Sequence, residues 1–151
     1  MKRLGKRVLS GIFALIMISG LLCTAASAAV QSSAYLDGYR VVMTPESGGK
    51  LAITVDVTGV GYMSEIGAKT IYVYESTDGK YFHWVKTYES SDYPQMMGSG
   101  SIFYEDVITY QGTVGRYYYA TACVYAGNSS GGDERYCDTA IKLAQSYVPG
   151  N

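Results

Sequence analysis

From Lys50 to Thr58 the chain alternates without a break: Leu51, Ile53, Val55 and Val57 are apolar, and the intervening Ala52, Thr54, Asp56 and Thr58 are small or polar. A period of two sends successive side chains to opposite faces of an extended strand, one face dry and one wet; a helix would scatter the same residues around its circumference. A strand with one dry face must bury it against other elements, so the rest of the chain has to supply partners. It supplies strands. Residues 35–44, 69–75, 81–88, 101–110, 116–126 and 134–143 are rich in Tyr, Val, Ile and Thr and are separated by turn signals, making seven strands with 50–58. Pro45 and Ser47-Gly48-Gly49 end the first, and Asp78-Gly79 marks a hairpin. Gly59, Gly61 and Gly67 are expected to bracket a loop, as is the polar stretch 89–100 with Pro94. Nothing predicts a helix of useful length after residue 28. The expected fold is all-β, a two-sheet antiparallel sandwich of about seven strands; an up-and-down barrel is the alternative.

The first 28 residues are of another kind. Lys2, Arg3, Lys6 and Arg7 form a basic n-region, residues 8–22 an apolar run, and Ala26-Ser27-Ala28 a cleavage site of small residues. These are the three parts of a secretory signal peptide, and the apolar run is shorter than the roughly 20 residues of a membrane span. Cleavage is expected after Ala28, leaving residues 29–151 as one secreted or cell-surface domain with no membrane anchor. Leu22 stands before Cys23 where lipidation would want a small residue. Removing the basic n-region leaves eight Lys and Arg against 13 Asp and Glu, a net charge of −5. That balance, with the carboxylates scattered, argues against nucleic acid and anionic lipid as partners.

Cys123 and Cys137 are the cysteines that remain, and export puts them where disulfides persist. If the last two strands form a hairpin centred on Ser130 in a loop over 127–133, facing positions sum to 260 and the two thiols lie opposite. Facing residues have Cα atoms roughly 4.5–5.5 Å apart, within reach of a bridge. A Cys123–Cys137 disulfide is therefore expected.

No catalytic constellation is legible, and no enzyme activity or cofactor is expected. His83, the single histidine, lies between Phe82 and Trp84 on an alternating strand with no nucleophile elbow beside it. The pairs Glu105-Asp106 and Asp133-Glu134 are adjacent, so on strands each pair splits between two faces and cannot act as a glycosidase pair. Asn128, Asp133, Glu134 and Asp138 offer oxygen ligands near the last hairpin, but their spacing matches no calcium loop, and no metal site is expected.

The 16 tyrosines carry more. Tyr118, Ala120, Ala122, Val124 and Ala126 make an apolar face suited to the core, which turns Tyr117, Tyr119, Thr121, Cys123 and Tyr125 outward. If the strand bearing Tyr72 and Tyr74 lies beside it, Tyr72, Tyr74, Tyr117, Tyr119 and Tyr125 share one outer face. Such a row presents apolar area edged with hydroxyls, which suits sugars or protein surfaces. Cross-strand aromatic pairs also stabilise a sheet by themselves, by roughly 0.2–1 kcal/mol each.

Ile71-Tyr72-Val73-Tyr74-Glu75-Ser76-Thr77-Asp78-Gly79-Lys80, with Arg116-Tyr117-Tyr118-Tyr119-Ala120 and Ala126-Gly127-Asn128, resembles the middle and penultimate strands of a fibronectin type III domain. That resemblance implies an immunoglobulin-like sandwich. Met63-Ser64-Glu65-Ile66-Gly67-Ala68 and Thr109-Tyr110-Gln111-Gly112-Thr113-Val114-Gly115 resemble a family of short exported Gram-positive bacterial proteins known as a domain of unknown function, which implies no activity. The functional expectation is a non-catalytic, monomeric binding module for a polysaccharide or protein partner outside the cell. The alternative is a small secreted effector, an antimicrobial or inhibitor protein.

Overall fold

The computed structural model describes residues 33–149; the expected signal peptide and its cleavage site lie outside them. The alternating segment becomes β2 (Lys50–Met63), flanked by β1 (Leu36–Pro45) and β6 (Ser101–Gln111) in a three-stranded antiparallel sheet of order β1-β2-β6. Leu51, Ile53, Val55 and Val57 all point into the core, as their period requires. The second sheet has the order β4-β3-β7-β8, built from β3 (Glu65–Ser76), β4 (His83–Glu89), β7 (Tyr117–Asn128) and β8 (Gly131–Asp138). Two-residue strands β5 (Met97–Gly98) and β9 (Lys142–Leu143) add to β3 and β7. The two sheets pack face to face as an antiparallel sandwich, and no strand ladder closes them into a barrel among the described residues.

The core lies between the sheets. One wall is Val41, Met43, Leu51, Ile53, Val55 and Val57; the other is Ile66, Ala68, Ile71, Val73, Tyr118, Ala120, Ala122, Val124 and Ala126. Full burial of each Val, Ile or Leu is worth about 1.5–3 kcal/mol. The three alanines of β7 are completely buried at the middle of their sheet, where longer side chains reach across from the facing one. Met96 and Tyr88 join the same core, so the connection after β4 packs onto the sandwich through Met96.

Two expectations about organisation are corrected. Gly59 and Gly61 lie within β2 and Gly67 within β3, so the glycines do not bracket a loop; the two strands run on until only Ser64 separates them. At Gly67, φ is 147° and an added Cβ would stand 2.2 Å from the carbonyl oxygen of Met96. The glycine is there because β5 approaches at that point, pairing Gly67 with Met97. The last expected strand divides: β8 ends at Asp138, where Thr139 turns back to bond Ala120 through both its backbone and its hydroxyl, and β9 resumes beside Tyr117 and Tyr118.

Candidate binding face

On the outside of the four-stranded sheet the register β3–β7 sets Tyr74 against Tyr119 and Tyr72 against Thr121. The rings of Tyr74 and Tyr119 stack with centroids 4.7 Å apart and planes 9° from parallel. Phe82, just before β4, meets Tyr119 edge-on at 4.9 Å. A bulge at Val85 in β4 then sets Trp84 opposite Tyr74, with its indole Nε1–H donating to the Thr87 hydroxyl at 2.9 Å. On the other side, β8 brings Tyr136 against Cys123. Phe82, Trp84, Tyr74, Tyr119, Tyr72 and Tyr136 therefore gather on one face.

The rings differ in what they leave open. Tyr74 and Tyr119 spend their faces on each other and offer outward mainly edges and hydroxyls. Burial raises the Tyr119 phenol above its ordinary value, with Tyr74 and Asp138 adding to the effect. Trp84 and Tyr136, at 60% and 64% exposure, are the most open of the group. Tyr125 shares the outer face but is otherwise engaged. Its hydroxyl lies over Gly127 and Gly132, where a Cβ on either would come within 2.3 Å, and the Lys69 ammonium sits 3.7 Å above its ring. Tyr117 lies beneath the β3–β4 turn, with Gly79 against its ring. Of the five expected rings, then, Tyr72, Tyr74 and Tyr119 converge, and Tyr117 and Tyr125 serve the fold beside them.

Phe82, Trp84 and Tyr136 were not legible as members of this face. Trp84 and Tyr136 alternate outward only once β4 is known to flank β3 and β8 to take its observed register.

Charge stays at the margins. Asp138 accepts from the Thr121 hydroxyl at 2.6 Å, Glu134 pairs with Lys69 at 3.5 Å, and Glu89 stands opposite Thr70 at the β4 edge. Asp133 is on the other side, accepting from Ser33 Oγ at 2.5 Å and Ala34 N–H at 3.0 Å; the Ser33 hydroxyl above all holds its carboxyl below the usual range. Asn128 accepts from Ser130 N–H. The four side chains considered for calcium thus have separate partners and do not converge. Glu105 faces out beside Asp56, while Asp106 faces in beside Val55.

The hairpin register expected for the cysteines is corrected. Asn128 faces Gly131 across a turn of just Ser129 and Ser130, so facing positions sum to 259 rather than 260. Cys123 meets Tyr136, Cys137 meets Ala122, and both thiols are free. Because side chains alternate, Cys123 lies on the outer face and Cys137 on the core side.

His83 stands opposite Glu75 in the β3–β4 ladder, its Nε2 3.8 Å from the carboxylate. Glu75 is itself buried and accepts from Arg116 and from the Tyr118 hydroxyl. The cluster joins three parts of the chain at one end of the sandwich. At the other end an open cleft of 490 Å³ is lined by Tyr62, Ser64, Glu65, Gly100, Tyr125 and Asn128, among others.

Comparison with protein-family models, curated proteins and solved structures gave no match.

Proposed function

We propose that this chain is exported and acts outside the cell as a non-catalytic, fibronectin type III-like binding module, engaging its partner through the outer face of the β4-β3-β7-β8 sheet. The observation that carries the reading is the gathering of Trp84, Tyr74, Tyr119, Tyr72 and Tyr136 on that one face, with Trp84 and Tyr136 largely open. A buried aromatic costs the fold nothing to explain; two large, exposed ones on the same sheet face suit a ligand with both apolar and hydroxyl-bearing surface. Fold and export support it independently. Three strands against four, in the order seen here, are compatible with an immunoglobulin-like sandwich. Tyr118 opens β7 with its hydroxyl accepting from the backbone N–H of Thr113, five residues upstream, in the manner of a tyrosine corner. The basic, apolar and small-residue segments of residues 1–28 support export. The resemblance to short exported Gram-positive proteins rests on its two segments.

The test is retention of the mature protein on insoluble cell-wall or plant material, with Trp84→Ala plus Tyr119→Ala as the comparison. The variant should wash through while keeping the wild-type circular dichroism spectrum. Equal retention of both folded proteins would remove the face from consideration.

A further inference from the structure

The chemistry of the face narrows its partner. We infer that the occupant is a neutral, hydroxyl-rich polysaccharide, which the open rings of Trp84 and Tyr136 grip by stacking; this rests on the reading of the face as a binding surface. Three observations lead there. The first is which ring faces are free. Trp84 on β4 and Tyr136 on β8 stand on the two outer strands of the sheet, and because Trp84 is level with Tyr74 and Tyr136 with Thr70, they are three strand spacings apart across it and four residues apart along it, roughly 20 Å in all. The Tyr74–Tyr119 stack continues the Trp84 row as a ridge tipped with hydroxyls, and Tyr72 and Thr121 lie between that row and the level of Tyr136. A pyranose has an apolar face of C–H groups and a rim of hydroxyls, so a chain of several sugar units can stack at two separated rings and hydrogen-bond along the ridge.

The second is the chemistry between the rings. The side chains that link them across the sheet are Thr87, Tyr72, Thr121 and Thr70, whose hydroxyls donate and accept, and Cys123 beside Tyr136; none is charged. The third is the margin. Glu89 bounds the face at the β4 edge and Asp138 and Glu134 bound it at the β8 edge, while the Lys69 charge is shared between Glu134 and the Tyr125 ring. A polyanion would meet carboxylates at both ends of its path, so uncharged sugar units fit and uronate or phosphate units do not. A protein partner would look for a pocket to seat an anchoring side chain, and the cleft described above opens at the end of the sandwich, with Tyr125 its contact to this face.

Trp84 is the chain's single tryptophan, so its fluorescence reports this face alone. The experiment titrates the mature protein with three soluble polysaccharides: a neutral β-glucan, polygalacturonate as polyanion and chitosan as polycation. The neutral glucan is expected to shift Trp84 emission and shield it from a soluble quencher. Its affinity should be unchanged in about 1 M salt, where the Debye length is about 3 Å. Tyr136→Ala, read by the same signal, and Trp84→Ala, read by retention on insoluble glucan, should each weaken binding by about threefold to tenfold. Both residues are exposed enough for the variants to fold, which a thermal melt checks. A salt-sensitive response to polygalacturonate or chitosan alone would overturn the neutral class and leave the face standing as a binding surface. Glucan binding that leaves Trp84 emission and both variants untouched would overturn the face itself. No response to any of the three would overturn the assignment to polysaccharide, and the retention test then decides whether the face binds at all.

Discussion

The hydroxyl of Tyr118 donates to the carboxylate of Glu75, joining the start of β7 to the end of β3 inside the sandwich. The same hydroxyl accepts from Thr113 N–H at 2.8 Å, so one oxygen ties the β6–β7 corner to the end of β3 in the second sheet. Gly112 is held against the Tyr118 ring, where a Cβ would approach to 2.9 Å. Replacing Tyr118 by Phe keeps the buried ring and removes the oxygen, leaving a buried carboxylate short of one donor and the Thr113 N–H short of its acceptor. The expected cost is about 1–3 kcal/mol, read as a lower urea midpoint with an unchanged slope.

Glu75 also sets how the protein meets acid. The Tyr118 hydroxyl foremost, then Arg116 and His83, hold its carboxyl below the ordinary value of 4.5, and burial opposes them without prevailing. A carboxyl whose folded pKa is depressed contributes stability that is present in full above its unfolded value. That contribution is lost as pH falls through the folded value, because the unfolded chain takes up the proton first. Thermal stability should therefore be level with respect to this group above about pH 5.5 and decline below about pH 4.5. Melting temperatures of wild type and Glu75→Gln between pH 7 and pH 3 give the check. The variant starts lower, since Arg116 loses its ionic partner, and its acid limb is shallower.

Gly67 tests the way β5 closes on β3. An alanine there brings its Cβ to 2.2 Å from the Met96 carbonyl, a backbone atom that cannot swing aside, at a φ of 147° that side chains avoid. Gly67→Ala should cost about 2–4 kcal/mol, combining backbone strain with displacement of Met96 from the core. Limited proteolysis should then cut first between Ser90 and Gly100. The control is Gly61→Ala, where a Cβ meets nothing within 4 Å, and this variant should melt close to wild type.

Strand identity was legible wherever alternation was strong. Leu51 to Val57 and Tyr118 to Ala126 declare their buried faces in sequence, and the structure buries them. What sequence hides is what depends on a neighbour. Gly67 reads as a breaker because its reason, the Met96 carbonyl, belongs to a distant segment. Trp84 joins the face only because the β4–β3 ladder sets it against Tyr74. Tyr125 reads as a bare ring, but the glycines that receive it and the lysine that covers it arrive from three strands. The candidate face was therefore half visible: its central rings follow from alternation along β3 and β7, and its open rings follow only from pairing.

The cysteines are the sharpest case, since one residue of register decides their chemistry. In a hairpin turned by Ser129 and Ser130, Cys123 lies outside beneath Tyr136, and Cys137 lies on the core side against Ala122. Bringing them together requires β8 to slip by one residue. That slip would carry Cys137 outward, turn Glu134, Tyr136 and Asp138 to the core side in place of Asp133, Arg135 and Cys137, and break the Asp133 bonds to Ser33 and Ala34 and the Asp138 bond to Thr121. Those lost bonds weigh against the roughly 3 kcal/mol that a bridge closing so short a loop returns. The unreduced, denatured mature protein should accordingly show two titratable thiols and a mass without the loss of two hydrogens. In the native protein the two differ: burial foremost pushes the Cys123 thiol up, whereas Cys137 is half-buried and more open to reagent. Native alkylation should label Cys137 first, and Cys123 at a rate set by opening of the β7–β8 hairpin. A protein that titrates no thiols after denaturation would show instead that β8 takes the slipped register, and Tyr136 would leave the outer face with it.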